Sequence, residues 1–273
     1  MPQAYLHGVQ STPHPSRFER YVAIGDSSTE GLDDPDGRGH YRGWADRLAA
    51  HIAAAQGEVL YANLAVRGRR TQQILDEQLA PALAMLPDLV TVFSGTNDVI
   101  QGGFDANAVR DQVHALQHSI RASGATALTF TLPDLSAVIP FAKRIMPRVE
   151  ALNRVLREVS AETGTLLVDF AAHPVASDPR LWSDDRLHAN ALGHERIAAA
   201  LAHALGLPAG HERWVEALPP REPASIAERI AAELRWTRRH LMPWVWRHAR
   251  GRSSGDGITA KRAALAPLRA NEE

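Results

Sequence analysis

The 273-residue chain contains no cysteine. Disulfides, thiolate metal sites and cysteine nucleophiles are therefore excluded, and any covalent chemistry must use another atom. No apolar run approaches the roughly 20 residues that a bilayer-spanning helix needs. The opening stretch, MPQAYLHGVQSTPHPSRFER, also lacks the charged-then-apolar layout of a secretory leader. A soluble, cytoplasmic protein is the expectation. The formal net charge is -1, so no global field draws the chain to nucleic acid, and any electrostatic partner must be recruited by a local patch. No nucleic-acid partner is expected, and the sequence does not fix the oligomeric state.

Several motifs are missing as well. GRGHYRG, Gly37–Gly43, holds a G-x-G pair but follows a polar stretch instead of a strand, and no GxxxxGK[ST] loop occurs. The G-x-S-x-G elbow is absent. Without an HExxH helix or a cysteine pair, no metal and no cofactor are expected.

What is present is an alternation. Five short apolar runs, YVAIG from Tyr21, VLYAN from Val59, LVTVFS from Leu89, ATALTFT from Ala125 and TLLVDF from Thr165, read as buried strands. Between them, Trp44, Leu48 and Ile52 share one helical face, as do Val109, Val113, Leu116 and Ile120, and Val149, Leu152, Leu156 and Val159. Gly57, Gly124 and Gly164 stand where those helices should stop. Strands separated by helices imply right-handed crossovers and a five-stranded parallel sheet covered on both faces, a three-layer α/β/α sandwich. Residues 1–20 form an N-terminal segment, 21–208 this domain, and 209–273 an extension.

Ligands of such sheets bind beyond the carboxyl ends of the strands, and Ser27, Gly68, Asn97 and Asp134 all follow strands. In VAIGDSSTEG, Val22–Gly31, Ser27 and Ser28 are either helix caps or exposed hydroxyls. In SDDRLHANALGH, Ser183–His194, His188 stands three residues after Asp185, a spacing that lets the carboxylate hold the ring; Asp184 is the rival acid. His188 read alone is a solvated loop histidine, and His194 reads as helix surface or packing. FSGTNDV brings Asn97 to the same edge as a turn cap or an oxyanion donor. Gly68, ending NLAVRG, lets main chain approach a ligand.

Taken together, GDSSTEG, NLAVRG, GTND and DRLHANALGH, in this order across roughly Tyr21–Leu205, resemble the four blocks of the SGNH hydrolases, also called the GDSL family. The resemblance implies a flavodoxin-like α/β/α fold and an esterase or lipase-like enzyme acting on small-molecule or lipid esters through a serine acyl-enzyme. It also implies the roles. Ser27 would be the nucleophile and supply the first oxyanion N–H, Gly68 the second N–H and Asn97 a side-chain amide. His188 would be the general base and Asp185 the acid that orients it. Ser28 replaces the family's leucine, and Ala189 stands where proline often follows the histidine. An acyltransferase using the same acyl-enzyme and a non-catalytic binding module are the alternatives. Val138, Ile139, Phe141 and Met146, after the fourth strand, are candidates for an acyl pocket or for core.

The extension reads as helical and rich in Trp and Arg. Ser225 and Glu228 make a capping box. Ile226, Ile230 and Leu234 lie along one helical face, expected to pack on the domain. Trp236, Trp244 and Trp246 with Arg235, Arg238, Arg239, Arg247, Arg250 and Arg252 also suggest peripheral contact with an anionic membrane. The closing ALAPLRANEE is expected to fray.

Overall fold

A computed structural model of the chain describes residues 17–136, 138–139, 142–208, 212–222, 225–243, 246 and 254–270. Residues 1–16, Phe141, Gly210, Trp244, Arg247, Arg250 and Arg252 lie outside the described residues.

The chain runs β1 (Arg20–Gly25), α1 (Ser27–Glu30), α2 (Gly43–Gln56), β2 (Glu58–Asn63), α3 (Thr71–Ile74), α4 (Ala80–Ala84) and β3 (Leu89–Phe93). Next come α5 (Thr96–Ile100), α6 (Ala106–Ala122), β4 (Thr126–Phe130), α7 (Met146–Thr163), β5 (Leu166–Val168), α8 (Ala191–Ala204), α9 (Ile226–Trp236) and β6 (Arg262–Arg269). The strand order is β5-β4-β3-β1-β2-β6. Strands β1 to β5 pair in parallel. Alternate residues of β1 enter opposite layers. Tyr21 and Ala23 join Trp44, Leu48, Leu156 and Leu201, whereas Val22 and Ile24 join Ile74, Leu116 and Ile120. A sheet buried on both faces favours strands apolar at most positions instead of alternate ones, and the five runs have that pattern.

The order 2-1-3-4-5 within these five strands is the flavodoxin-like one, and it reverses direction between β1 and β3. At that switch point the flanking crossovers leave on opposite faces and a crevice opens. Ser27 follows β1 there, and Asn97 follows β3.

The sheet has six strands, not five. β6 lies antiparallel on β2, with Leu60 opposite Pro267, so residues 264–269 of the segment expected to fray are strand, while 271–273 lie outside the described residues. A proline lacks the N–H that a central strand must donate, but on an edge strand it can be accommodated. Leu265 and Leu268 pack against the two core clusters. Lys261, just before the strand, is anchored by Asp46 at 2.9 Å and donates to the carbonyls of Tyr41 and Arg42.

A second expectation fails in α9. Ile226, Ile230 and Leu234 do not pack on the domain but are 69%, 57% and 62% exposed. The helix instead docks through a neighbouring face, where Trp236 is 8% exposed. Among the described residues, no helix is long and apolar enough to cross a membrane.

Candidate active site

Asp26, not a serine, caps α1: its side chain accepts the N–H of Ser28 at 3.0 Å. That leaves Ser27 at the first helical position. Gly25 before it admits no larger residue, since a Cβ there would lie 2.3 Å from Thr29 Oγ1 and 2.6 Å from the carbonyl of Phe93. The two serines then diverge. Ser28 Oγ accepts the Trp44 indole N–H at 3.3 Å. Ser27 Oγ lies 2.8 Å from His188 Nε2.

His188 is held from its other side. Its Nδ1 is 2.6 Å from Asp185 Oδ2, and a carboxylate at that distance demands a proton on Nδ1, leaving Nε2 to accept from the Ser27 hydroxyl. Asp185 Oδ1 accepts the main-chain N–H groups of Leu187 and His188 at 2.8 and 3.0 Å. These bonds wrap the loop around its own acid. Asp184, the rival acid, is exposed and makes none of these contacts.

Burial works against charge on both partners, but their mutual attraction wins. Burial would raise the Asp185 carboxyl, yet the His188 hydrogen bond and charge hold it well below the usual carboxylate range. Burial would likewise lower His188, but Asp185 and then Asp33 and Asp26 leave it above its ordinary value. Asp33 is a residue sequence reasoning missed. Its Oδ2 is 3.9 Å from His188 Nδ1 and accepts from Ser183 Oγ at 2.6 Å. It lies 152 positions from Asp185 in no motif, and only its left-handed φ of 66° marks it. Asp33, Asp185 and His188 also bring ligand atoms within 4.8 Å of one another, but a cation there would take Nδ1 from its carboxylate.

The third strand end closes the crevice. Asn97 Nδ2 donates to Asp26 Oδ2 at 3.2 Å and to the carbonyl of Arg69 at 3.0 Å, linking the residue before Ser27 to the one after Gly68. Gly68 sits in a turn at φ 78°, a conformation that leaves its N–H direction open to glycine and strained for other residues. Around it, Arg67 is pinned by buried Glu30, and Asp98 accepts both the N–H and hydroxyl of Thr71. Burial raises Asp26 to about 6, with the Ser28 N–H and His188 pulling against it.

His194 is packing. It is fully buried, accepts the Trp44 N–H through Nδ1 and donates Nε2–H to the carbonyl of Leu32. Burial lowers its pKa to about 4, so it is neutral. Asp134 is exposed and serves its own turn, accepting from the N–H of Ser136 at 2.7 Å.

Beside Ser27 and His188 opens an apolar pocket of about 80 Å³. Phe93 and Phe130 stack at 4.1 Å, and Phe170 meets Phe130 edge-on at 5.3 Å. Trp214, from the extension, meets Phe170 edge-on at 5.4 Å. Leu132 and Leu135 line the pocket, whereas Val138 and Ile139 form a separate cluster with Leu135, Trp182 and Leu187, and Met146 packs on the main core.

The sequence profile of the GDSL-like lipase/acylhydrolase family matches residues 23–196. The chain belongs to that family, and it is an ester hydrolase of the GDSL type. No curated protein matches it. Among solved structures, TesA is similar at 22% identity and TM-score 0.57, covering 68% of this chain and 98% of its own. The acetylxylan esterase Axe2 from Geobacillus stearothermophilus is similar at 19% identity and TM-score 0.59, with 71% and 97% covered. The psychrotrophic esterase EstA from Pseudoalteromonas sp. is similar at 18% identity and TM-score 0.56, with 69% and 97% covered.

Proposed function

We propose that the chain hydrolyses carboxylic esters with an apolar acyl group through a covalent acyl-Ser27 intermediate. The observation that carries this reading is the unbroken chain from Ser27 Oγ through His188 to Asp185, at 2.8 and 2.6 Å. A serine hydroxyl is a weak nucleophile at neutral pH. His188 Nε2 takes its proton as Oγ attacks the ester carbonyl, and the resulting imidazolium is stabilised by Asp185. The tetrahedral oxyanion falls to the N–H groups of Ser27 and Gly68 and to the amide of Asn97, one of whose two Nδ2 protons turns to it from Asp26 or the Arg69 carbonyl. Collapse expels the alcohol, which receives the proton from His188. Water, deprotonated by the same nitrogen, then releases the acid and restores Ser27.

The substrate class follows from the pocket. Its aromatic floor favours a hydrocarbon acyl chain over a sugar or a charged group. The test is hydrolysis of a graded series of p-nitrophenyl esters by the intact chain and by Ser27→Ala and Ser28→Ala. Ser27→Ala should be inactive and Ser28→Ala active, with kcat/KM rising from acetate toward longer acyl chains. An active Ser27→Ala enzyme overturns the nucleophile, and a strict preference for acetate overturns the apolar acyl group.

A further inference from the structure

The family match ends at residue 196, yet the loop bearing Asp185 and His188 is gripped from forty residues further on. Trp236 donates its indole N–H to the main-chain carbonyl of Asp185 at 3.0 Å. Arg186, the next residue, sends its two terminal nitrogens to Glu233 at 3.0 and 2.7 Å and lays its guanidinium 4.8 Å from the centre of the Trp236 ring. Glu233 and Trp236 are three apart on α9 and so share a face. Arg186 itself takes a left-handed φ of 65°, a conformation non-glycine residues adopt only when surroundings impose it. The Asp185 carboxylate is already locked onto the N–H groups of its own loop, so what remains to be fixed is the main chain on which it rides. The indole holds that main chain.

We propose that Trp236 is a positioning residue, which fixes the backbone of the acid and thereby the aim of His188 at Ser27, with the Arg186–Glu233 pair as its second tie. The proposal rests on the triad reading above. A ring that only filled space would be replaceable by another ring, whereas a positioning indole is not. Trp236→Phe keeps the ring and removes the donor; Glu233→Gln, at an exposed position, removes the second tie without threatening the fold. On a soluble short-chain ester, Trp236→Phe should lower kcat about tenfold with KM unchanged, since small misplacements of reacting groups are costly. The low-field proton resonance of the His188–Asp185 hydrogen bond should broaden, and Glu233→Gln should show the same change to a smaller degree. Wild-type kcat and an unchanged resonance in both variants overturn the proposal. So does a fall in activity that follows thermal stability alone. Asp185→Asn separates the two layers: if it is active, the acid assignment fails and the brace with it; if it is dead while Trp236→Phe is at wild-type rate, only the brace fails.

The exposed stripe beside that face of α9 carries a second inference independently. Ile226, Ile230 and Leu234 form an exposed apolar stripe, continued by exposed Met242. Arg238 follows the stripe, and Arg235 and Arg239 stand further round at the margin of the groove against residues 179–186; all three are exposed. From residue 225 to 252 the sequence holds seven arginines against two glutamates, and Glu233 is committed to Arg186. A second copy docked stripe to stripe would bring these arginines against one another. We infer that the stripe inserts into an anionic lipid bilayer, with the arginines on the phosphates. The test is co-sedimentation of the full chain with vesicles of phosphatidylglycerol in phosphatidylcholine, and with phosphatidylcholine alone. Its control is the triple variant Ile226→Ser, Ile230→Ser, Leu234→Ser, whose positions are exposed and leave the fold intact. Binding to the anionic vesicles should exceed both controls about tenfold and weaken with salt. Equal partitioning of wild type and variant overturns the inference. So does a concentration-dependent dimer in gel filtration that the variant abolishes.

Discussion

At the scale of single residues, the site depends on two adjacent serines that the structure treats differently. Ser28 is occupied by the Trp44 indole, and Ser27 faces His188. Asn97 is the side-chain donor of the proposed oxyanion hole, and its amide bridges the flanks of Ser27 and Gly68. Asn97→Ala should lower kcat on the order of 10²-fold to 10³-fold while the thermal melting curve stays close to wild type. On the proposed mechanism the acid limb of the pH profile is set by His188, which must be neutral to accept the Ser27 proton. Neighbouring carboxylates raise its pKa above 6.5, so activity should be lost as pH falls through that raised value. Removing one of those charges with Asp33→Asn should move the limb to lower pH, read from kcat/KM against pH; an unmoved limb would mean Asp33 exerts no field on the ring. The spacing from Asp185 to His188 was legible in the sequence because a three-residue step is local. Asp33 was not, because only the folded loop brings it to Ser183 and His188.

At the scale of elements, local pattern made the five parallel strands readable. Their runs are mainly apolar, without strict alternation, because both faces of the sheet are covered. β6 escaped because it has one neighbour, a proline and a mixed pattern, and nothing local distinguishes such an edge strand from a tail. Its attachment makes Lys261 consequential. Burial lowers that ammonium, and Asp46 with the carbonyls of Tyr41 and Arg42 keeps it in place. Lys261→Ala leaves the Asp46 carboxylate with the Tyr61 hydroxyl but without its cation and should cost about 2 kcal/mol in urea unfolding. The expected packing of α9 erred for a related reason: periodicity reveals that a helix has an apolar face, but not which way that face points. Trp236, off the stripe, became the anchor instead.

At the scale of the whole molecule, the boundary expected near Pro208 does not divide the contacts around the site. The extension supplies Trp214 to the apolar pocket, Trp236 to the acid's loop and β6 to the sheet. The switch point of the strand order places Ser27 and Asn97 side by side, and α8's leading loop delivers His188 across the crevice. The central claim is that this convergence makes Ser27 Oγ the covalent nucleophile. Labelling the intact chain with a fluorophosphonate and sequencing the modified peptide by mass spectrometry tests it most directly. The account predicts a single adduct on Ser27, absent after His188→Ala; an adduct on Ser28, or full esterase activity in a chain that takes no label, would contradict it.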